Sequence, residues 1–516
     1  FQVTSASGAV SLRGSRTGLK TAQLAFPSQT NGISDLLQVF LEGGEPSFYP
    51  GEEIELVFDA NLLSQLQTGE DNPRTLSPFV ARYRAAVGFA TGGLGPREAV
   101  SSVGNQELLF ADLGELLPYS GLEMLTVDSS GTVSLLRSGS AGDGASWSLE
   151  SQFSLSSLPA SAVLADIDGD SRSELVVSCG DGTLRVITVL GQELIEDGTP
   201  HDVGGLVFHI LKVGELNGDQ SLDILGAATD GLRIIQNTIT IDPVTFELGR
   251  ALAVTGILPM PAATESLEVA DFDKDGRLDL LVSAGVGLLL RGAGNGSFLE
   301  AAFLDPAPVG AVVAGDVNGD GWLDAVTPDA TGISVHLNPG GQPPLNWAGV
   351  SILTAGAVLD VAVAEVDGDP VEIDDIVLLQ DSSDPLVMLR RLSPDLGDSE
   401  VVTLNFSGVP ANASIQLLDT DGDLGTDVLV RQFGGGDSLA VWRSLSVIDD
   451  QQSALEFQVP ELISLPQGTS SFEIPITATF EDDLSGFTIA LDYDESLLTA
   501  TGLIADSETF PFGSVD

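Results

Sequence analysis

The chain has 516 residues, a formal net charge of −55 and a single cysteine, Cys179. A surface this acidic repels nucleic acid and anionic membranes, which argues against both as partners. No segment approaches about 18 consecutive apolar residues, so the sequence predicts no membrane span. One cysteine excludes a disulfide framework within the chain, and stability must come from packing and bound metal.

Residues 1–78 form a β-rich N-terminal segment. Ile54, Leu56 and Phe58 alternate with polar residues, and Pro50-Gly51 indicates a turn before them. The pattern fits either a small sandwich or an arm exchanged with another chain, and both alternatives stay open.

An acidic loop, DFDKDGRLD at 271–279, is the clearest motif of the chain. It places carboxylates at loop positions one, three, five and nine, with Gly276 at the tight turn of position six. This donor set suits Ca²⁺, which takes about six to eight oxygen ligands. An EF-hand would need Glu at position twelve, where Val282 stands, and the apolar runs that follow indicate a strand, a hairpin and a second strand.

Related loops recur through residues 79–450 at steps of 45 to 56 residues. Seven units of about fifty residues, each long enough for one small sheet, predict an all-β fold in which seven blades surround an axis. We expect residues 79–90, which are strand-like and precede the first unit, to complete the last blade. The first positions of the seven loops are Asp112, Asp166, Glu215, Asp271, Asp316, Glu365 and Asp419.

Five stretches share one order: apolar strand, acidic loop, apolar strand, glycine hairpin and apolar strand. They are 165–187, 214–235, 270–290, 315–337 and 418–442. They resemble the FG-GAP/VCBS repeats of integrin α-subunit-like β-propellers, and the resemblance covers roughly residues 105–445.

The resemblance implies five calcium loops with four ligands each. These are Asp166, Asp168, Asp170 and Glu174; Glu215, Asn217, Asp219 and Asp223; Asp271, Asp273, Asp275 and Asp279; Asp316, Asn318, Asp320 and Asp324; and Asp419, Asp421, Asp423 and Asp427.

Two loops depart from this pattern. One loop begins at Glu365 and continues with Asp367 and Asp369, but its position nine is Ile373. Asp374 or Asp375 must therefore close the cage through a bulge, and we expect Asp374 to be the ligand. In the first loop only Asp112 fits and Gly114 replaces a ligand, so we expect no ion there. The chain is therefore expected to bind about five or six Ca²⁺.

A simpler interpretation is that each loop is a solvated turn, because Asp and Gly are common turn formers. One isolated loop would leave that alternative strong. Five well-formed copies weaken it, because four acidic groups packed into nine residues would repel one another without a cation.

Residues 451–516 form a third segment with strand-like alternation at 472–503. GFTIALDYDESLL within it resembles cohesin-like and related Ig-like sandwich modules of bacterial surface proteins, although Glu495 stands where that family usually has Pro. The segment is expected to be a partial β-sandwich. Strands of 1–78, from the same or a neighbouring chain, are candidates to complete it.

Groups that carry catalysis are scarce. The three histidines, His201, His209 and His336, lie in segments whose sequence is typical of strands or turns, and no nucleophile elbow or zinc motif is present. The alternative of a glycosidase with paired carboxylates stays open, because the separation of the carboxylates in space cannot be read from a sequence. The four tryptophans fall at non-equivalent places, which disfavours a lectin with one sugar site per blade.

These observations favour a non-enzymatic, secreted calcium-binding β-propeller of a bacterial cell surface. It would act as an adhesion or assembly module and as a subunit of a surface layer or extracellular filament joined through its terminal β-segments. Its partners would be other proteins or further copies of itself by strand exchange, with glycans as a further class. The alternative is a secreted carbohydrate-binding or polysaccharide-degrading propeller.

Overall fold

The computed structural model describes about three fifths of the chain. The described residues are 10–20, 22–25, 38–41, 48, 52–58, 79–84, 90–94, 98–100, 107–117, 123–137, 147–241, 248–305, 307–308, 310–329, 332–340, 347–354, 356–366, 373–381, 386–391, 399–404, 413–420, 425–432, 439–446, 456–458 and 477–479.

Every regular element among these residues is a β-strand. The chain divides into two compact units, 1–447 and 448–516. No helix in the described part of the chain is long and apolar enough to cross a membrane.

Eight strands precede the acidic repeats. They are β1 (Val10–Gly14), β2 (Gly18–Lys20), β3 (Ala22–Ala25), β4 (Gln38–Leu41), β5 (Glu53–Phe58), β6 (Phe79–Arg84), β7 (Ala90–Leu94) and β8 (Glu98–Ala99). Four of them form the N-terminal sheet, in the order β2-β1-β5-β6, and β3 pairs with β4. Because β6 pairs with β5, the N-terminal sheet extends beyond residue 78 to Arg84.

Seven antiparallel repeats follow, which we number 1 to 7 in chain order. Repeat 1 has β9 (Leu108–Gly114), β10 (Glu123–Asp128), β11 (Thr132–Arg137) and β12 (Ser148–Ser154), and repeat 2 has β13 (Pro159–Ala165), β14 (Glu174–Cys179), β15 (Thr183–Leu190) and β16 (Glu193–Glu196), with β17 (His201–Asp202) beside β15. Repeat 3 has β18 (Ile210–Gly214), β19 (Asp223–Ala228), β20 (Gly231–Ile241) and β21 (Leu248–Leu258), and repeat 4 has β22 (Ser266–Ala270), β23 (Asp279–Ser283), β24 (Gly287–Gly292) and β25 (Phe298–Asp305). Repeat 5 has β26 (Val313–Gly315), β27 (Asp324–Pro328), β28 (Gly332–His336) and β29 (Trp347–Leu353); repeat 6 has β30 (Ala357–Ala364), β31 (Asp375–Asp381), β32 (Leu386–Arg391) and β33 (Ser399–Leu404); and repeat 7 has β34 (Ala413–Leu418), β35 (Asp427–Gln432) and β36 (Leu439–Trp442).

The hydrophobic core lies between neighbouring repeats. One cluster joins repeats 1 and 2, with Leu125 and Leu175 among its members, and equivalent clusters join each later pair in turn. A further cluster joins repeat 7 back to repeat 1 through residues that include Leu429 and Met124. Small sheets that pack face to face in succession around an axis make a β-propeller. The predicted all-β propeller class is confirmed.

The sheet of repeat 7 is completed by a strand that precedes repeat 1 in the chain. β8 pairs with β36, in the register Ala440 with Ala99, and β7 pairs with β37 (Ser444–Ser446). The expectation that residues 79–90 complete the last blade is therefore corrected. The closing strand has only two residues, whereas the more strand-like β6 belongs to the N-terminal sheet.

An acidic residue begins the second strand of every repeat and pairs with the last residue of the first strand. The pairs are Glu123 with Gly114, Glu174 with Ala165, Asp223 with Gly214, Asp279 with Ala270, Asp324 with Gly315, Asp375 with Ala364, and Asp427 with Leu418. This common register defines position nine, and it corrects two assignments. Position one of repeat 1 is Glu115, because Asp112 lies within β9, and the residue in register in repeat 6 is Asp375.

Residues 451–516 are described only in part. β38 (Glu456–Gln458) and β39 (Thr477–Thr479) form one antiparallel pair. The rest of the sandwich predicted at 472–503 lies outside the described residues.

Candidate metal centre

The loops of repeats 2 to 5 share one hydrogen-bond network. The position-one carboxylate of Asp166 accepts the amides of Gly169 at 2.7 Å, Asp170 at 3.1 Å and Ser171 at 3.2 Å. Position three accepts the amide of position five, and position five accepts the amide of position seven. The corresponding acceptors in the other three loops are Glu215, Asn217 and Asp219; Asp271, Asp273 and Asp275; and Asp316, Asn318 and Asp320.

The backbone of these four loops is left-handed at positions four and six. Three of the residues concerned carry side chains: Ser171 (φ 75°), Gln220 (φ 70°) and Lys274 (φ 55°). A non-glycine residue in this region costs about 1 kcal/mol or more, so the side-chain network must hold it there. The remaining residues at these positions are Gly169, Gly218, Gly276, Gly319 and Gly321.

This backbone brings oxygen ligands together. One oxygen from each of Asp166, Asp168 and Glu174 lies within 4.8 Å of the other two, and the same holds for Asp271, Asp273 and Asp279. Arginines approach both groups: Arg250 lies 3.1 Å from Asp168, and Arg291 contacts Asp273. The two loops present the convergent carboxylates that a hard cation requires.

Position nine also has a structural role. Both oxygens of Asp279 accept backbone amides: Oδ2 accepts the amide of Phe272 at 3.0 Å, and Oδ1 accepts that of Gly292 at 2.8 Å. Asp324 and Asp427 make the equivalent pairs of contacts. Position nine therefore ties the loop to the end of the third strand whether or not an ion is bound.

Repeat 3 provides a test of whether the residues fit a cation. Glu215 is fully buried, and its Oε2 accepts no hydrogen bond. A buried carboxylate oxygen without a partner is costly. A calcium ion held by Glu215, Asn217, Asp219 and Asp223 would satisfy this oxygen. The residues therefore fit the ion.

The loops of repeats 6 and 7 are described in part. Asp367, Asp369, Asp421 and Asp423 lie outside the described residues. Asp374 Oδ2 accepts the amide of Asp316 at 2.9 Å and so faces repeat 5. Asp375 accepts the amide of Val366 at 3.3 Å, which is the position-nine contact. Three further predicted ligands of these two loops lie among the described residues, namely Glu365, Asp419 and Asp427.

Repeat 1 lacks the acidic set. Positions three and five are Leu117 and Tyr119, and Glu123 accepts the amides of Leu116 and Leu117, both at 3.1 Å. Lys20 of the N-terminal sheet places its ammonium 3.4 Å from Glu115, and the lysine side chain is buried. A lysine thus neutralises position one of this loop. The expectation that repeat 1 holds no calcium stays a prediction.

The carboxyl groups of these loops have raised pKa values. Burial, followed by the nearby carboxylates of Asp168 and Asp166, raises the pKa of Glu174 to about 9. Burial raises the pKa of Asp279 and of Glu215 to about 8 in each case, against the opposing effect of backbone hydrogen bonds. In the ion-free protein these groups therefore hold protons that their unfolded counterparts, with pKa values of 3.8 to 4.5, release.

A pH dependence opposite to ordinary acid denaturation follows. Where the folded state binds more protons, the free energy of unfolding decreases as pH rises. In chelator we expect the thermal midpoint to decrease as the pH rises from about 5 to about 8, a range that lies between the unfolded and the folded pKa values. Calcium should remove this trend, because it binds the ionised groups and displaces their protons. Scanning calorimetry at several pH values checks this, and a midpoint in chelator that rises over the range would contradict it.

Comparisons with known proteins identify no family. No family model and no curated protein matches the chain. Among solved structures, the chain is similar to BBS1N, solved in complex with ARL6DN, with 11% identity and a TM-score of 0.45 over 70% of this chain and 98% of that one. A lectin of Agrocybe aegerita, described as recognising non-reducing terminal N-acetylglucosamine, has 14% identity and a TM-score of 0.41 over 78% and 91% of the two chains.

Proposed function

We propose that this chain is a calcium-stabilised, non-enzymatic β-propeller of seven blades that acts outside the cell in adhesion or assembly. The observation that carries the proposal is the common geometry of the loops in repeats 2 to 5. Four loops of different sequence share a left-handed backbone and have hydrogen-bond acceptors at the same positions, and their position-nine carboxylates are buried. Solvated turns would not need this common arrangement.

Calcium would be held by positions one, three, five and nine of each loop. When bound, the ion supplies positive charge that offsets the mutual repulsion of the carboxylates. The residues of the chain do the rest: position one fixes the turn, and position nine joins the loop to the third strand. Extracellular fluids contain enough calcium to fill such sites, which supports a location outside the cell.

Calcium titration by calorimetry tests the metal proposal. We expect about five or six ions per chain, and magnesium should bind far more weakly because it demands compact octahedral coordination. Asp320→Asn should remove or weaken one site, because it takes a carboxylate from a loop that already has Asn318 at position three. Binding of fewer than two ions per chain would contradict the proposal.

Two of the three histidines have structural contacts that fit a non-enzymatic role. His209 Nε2 lies 2.8 Å from the carbonyl oxygen of Thr264, and the buried ring of His336 lies 3.2 Å from Thr327 Oγ1. Both rings thus form hydrogen bonds within the propeller, and the position-nine carboxylates are buried in their loops. Adhesion and assembly need no such catalytic group.

Light scattering and electron microscopy of the intact chain test the assembly role. Fibres or large particles in millimolar calcium, lost in chelator, would support a polymer joined through its terminal segments. A monodisperse monomer in calcium would contradict the filament. Binding to a glycan array by that monomer would favour the alternative role in carbohydrate recognition.

A further inference from the structure

The N-terminal sheet lies on the acidic loops of repeats 2 to 4, and it contacts each of them at position six. Ser171 donates its hydroxyl to the carbonyl of Leu19 in repeat 2. Arg13 donates to the carbonyl of Gln220 at 3.5 Å in repeat 3. The amide of Val80 donates to the carbonyl of Gly276 at 2.6 Å in repeat 4. Three successive loops therefore present the same position to one sheet.

Position six has a left-handed backbone in each of these loops, as position four does. Ser171 and Gln220 adopt this conformation with a side chain, at an energetic cost that the hydrogen bonds of the loop offset. The atoms that the sheet contacts are thus placed by the same geometry that brings the carboxylates together. A loop that relaxed would move these atoms out of reach.

A second contact reaches position one itself. The amide of Leu19 donates to Asp166 Oδ2 at 2.7 Å, while Asp166 Oδ1 accepts amides of its own loop. Beside it, the carbonyl of Arg16 accepts the amide of Glu115 at 2.8 Å, and Lys20 pairs with Glu115. The hairpin of β1 and β2 therefore spans the loops of repeats 1 and 2.

Apolar and charged contacts hold the other half of the sheet. Val57 and Val80 belong to the hydrophobic cluster that contains Leu216 and Leu278, which are positions two and eight of their loops. Arg82 pairs with Glu55 at 3.0 Å and donates to the carbonyls of Val213 and Val269, at 3.2 and 2.7 Å, at the ends of β18 and β22. β5 and β6 thus rest on residues that the loops of repeats 3 and 4 position.

We propose that the N-terminal sheet is a calcium-dependent clasp, docked when the loops of repeats 2 to 4 hold their ions and released when they lose them. The inference rests on the proposed calcium binding. Removing the ions leaves clustered carboxyl groups that must either repel one another or take up protons, and the loops that carry the docking atoms then relax. By linkage, the docked sheet raises the calcium affinity of these loops by the same factor by which calcium favours docking.

Repeat 5 supplies the matched control, because the described contacts of its loop include none with the N-terminal sheet. The double substitution Asp168→Asn with Asp170→Asn gives the loop of repeat 2 two carboxylates and two amides. Asp320→Asn gives the loop of repeat 5 the same set, with Asp316, Asn318 and Asp324. None of the three substituted side chains is seen to contact the N-terminal sheet.

Hydrogen exchange of the full chain, read by mass spectrometry, tests the clasp. In millimolar calcium the repeat 2 variant should exchange the amides of residues 10–20 about tenfold faster than the wild type, since exchange reports local opening. The repeat 5 variant should leave these amides unchanged. The wild type transferred to chelator should show the faster exchange in residues 10–20, 53–58 and 79–84 together.

Calcium titration of the same samples separates the two proposals. If the chain binds its calcium but residues 10–20 exchange equally in calcium and chelator, the clasp is wrong and the calcium proposal stands. If the chain binds no calcium, both are wrong. Protection of β14, which lies in the core of repeat 2, serves as the internal reference: a general loss of protection there, equal to that of residues 10–20, would mean unfolding of the repeat and would overturn the clasp.

Discussion

Chelation of calcium should lower the thermal midpoint of the 1–447 unit by about 10 °C or more. A ligand at a hundredfold excess over its dissociation constant stabilises the folded state by about 2.7 kcal/mol per site, and several loops contribute. The effect is large because these carboxyl groups are already buried: without the ion, Glu174, Asp279 and Glu215 must either hold protons or remain charged beside the other carboxylates of their own loops.

Calorimetry in millimolar calcium and then in chelator measures this shift. Re-addition of calcium should restore the midpoint, whereas the same concentration of magnesium should restore little of it. A midpoint that is equal in calcium and chelator would show that the loops are metal-free turns held by their own hydrogen bonds.

Asp324→Ala should destabilise the propeller by about 3 kcal/mol or more even in chelator, and by more in calcium, where the loop also loses a ligand. Asp324 is fully buried, and its two oxygens accept the amides of Val317 at 3.2 Å and Asn338 at 2.8 Å. Removing the carboxylate removes both of these hydrogen bonds from the buried loop, and this loss does not depend on an ion. Denaturation followed by circular dichroism, in both conditions, measures it.

Asp320→Ala in the same loop is the control. Asp320 is exposed and its oxygens contact the Trp322 amide and the Asn318 side chain, so its removal should be costly in calcium and nearly neutral in chelator. Equal losses for the two variants in chelator would contradict the structural role of position nine.

The period of the acidic loops was enough to predict the propeller class, because each loop precedes a buried strand at a fixed spacing. It was not enough to align every loop. Repeat 6 has ten residues between its first two strands (365–374) where its neighbours have eight, so that counting nine from Glu365 reaches Ile373. Repeat 1 has no acidic residue at positions three and five, so the sequence pattern pointed to Asp112 as position one, although this residue lies within a strand.

Features that depend on distant contacts could not be read from the sequence. The closing strand β8 has two residues, too few for any periodicity. The contact of Leu19 with Asp166 joins residues 147 positions apart, and no sequence pattern in either segment predicts it. Left-handed backbone at Ser171 and Gln220 was equally hidden, since these residues seldom adopt it.

The pairing of β7 with β37 has a mechanical consequence. Ala90 lies opposite Ser446 and Leu94 opposite Ser444, so the chain enters β7 and leaves β37 at the same end of the pair. Tension that pulls these two ends apart would break the hydrogen bonds of the pair one after another, starting at Ala90, instead of loading them all together.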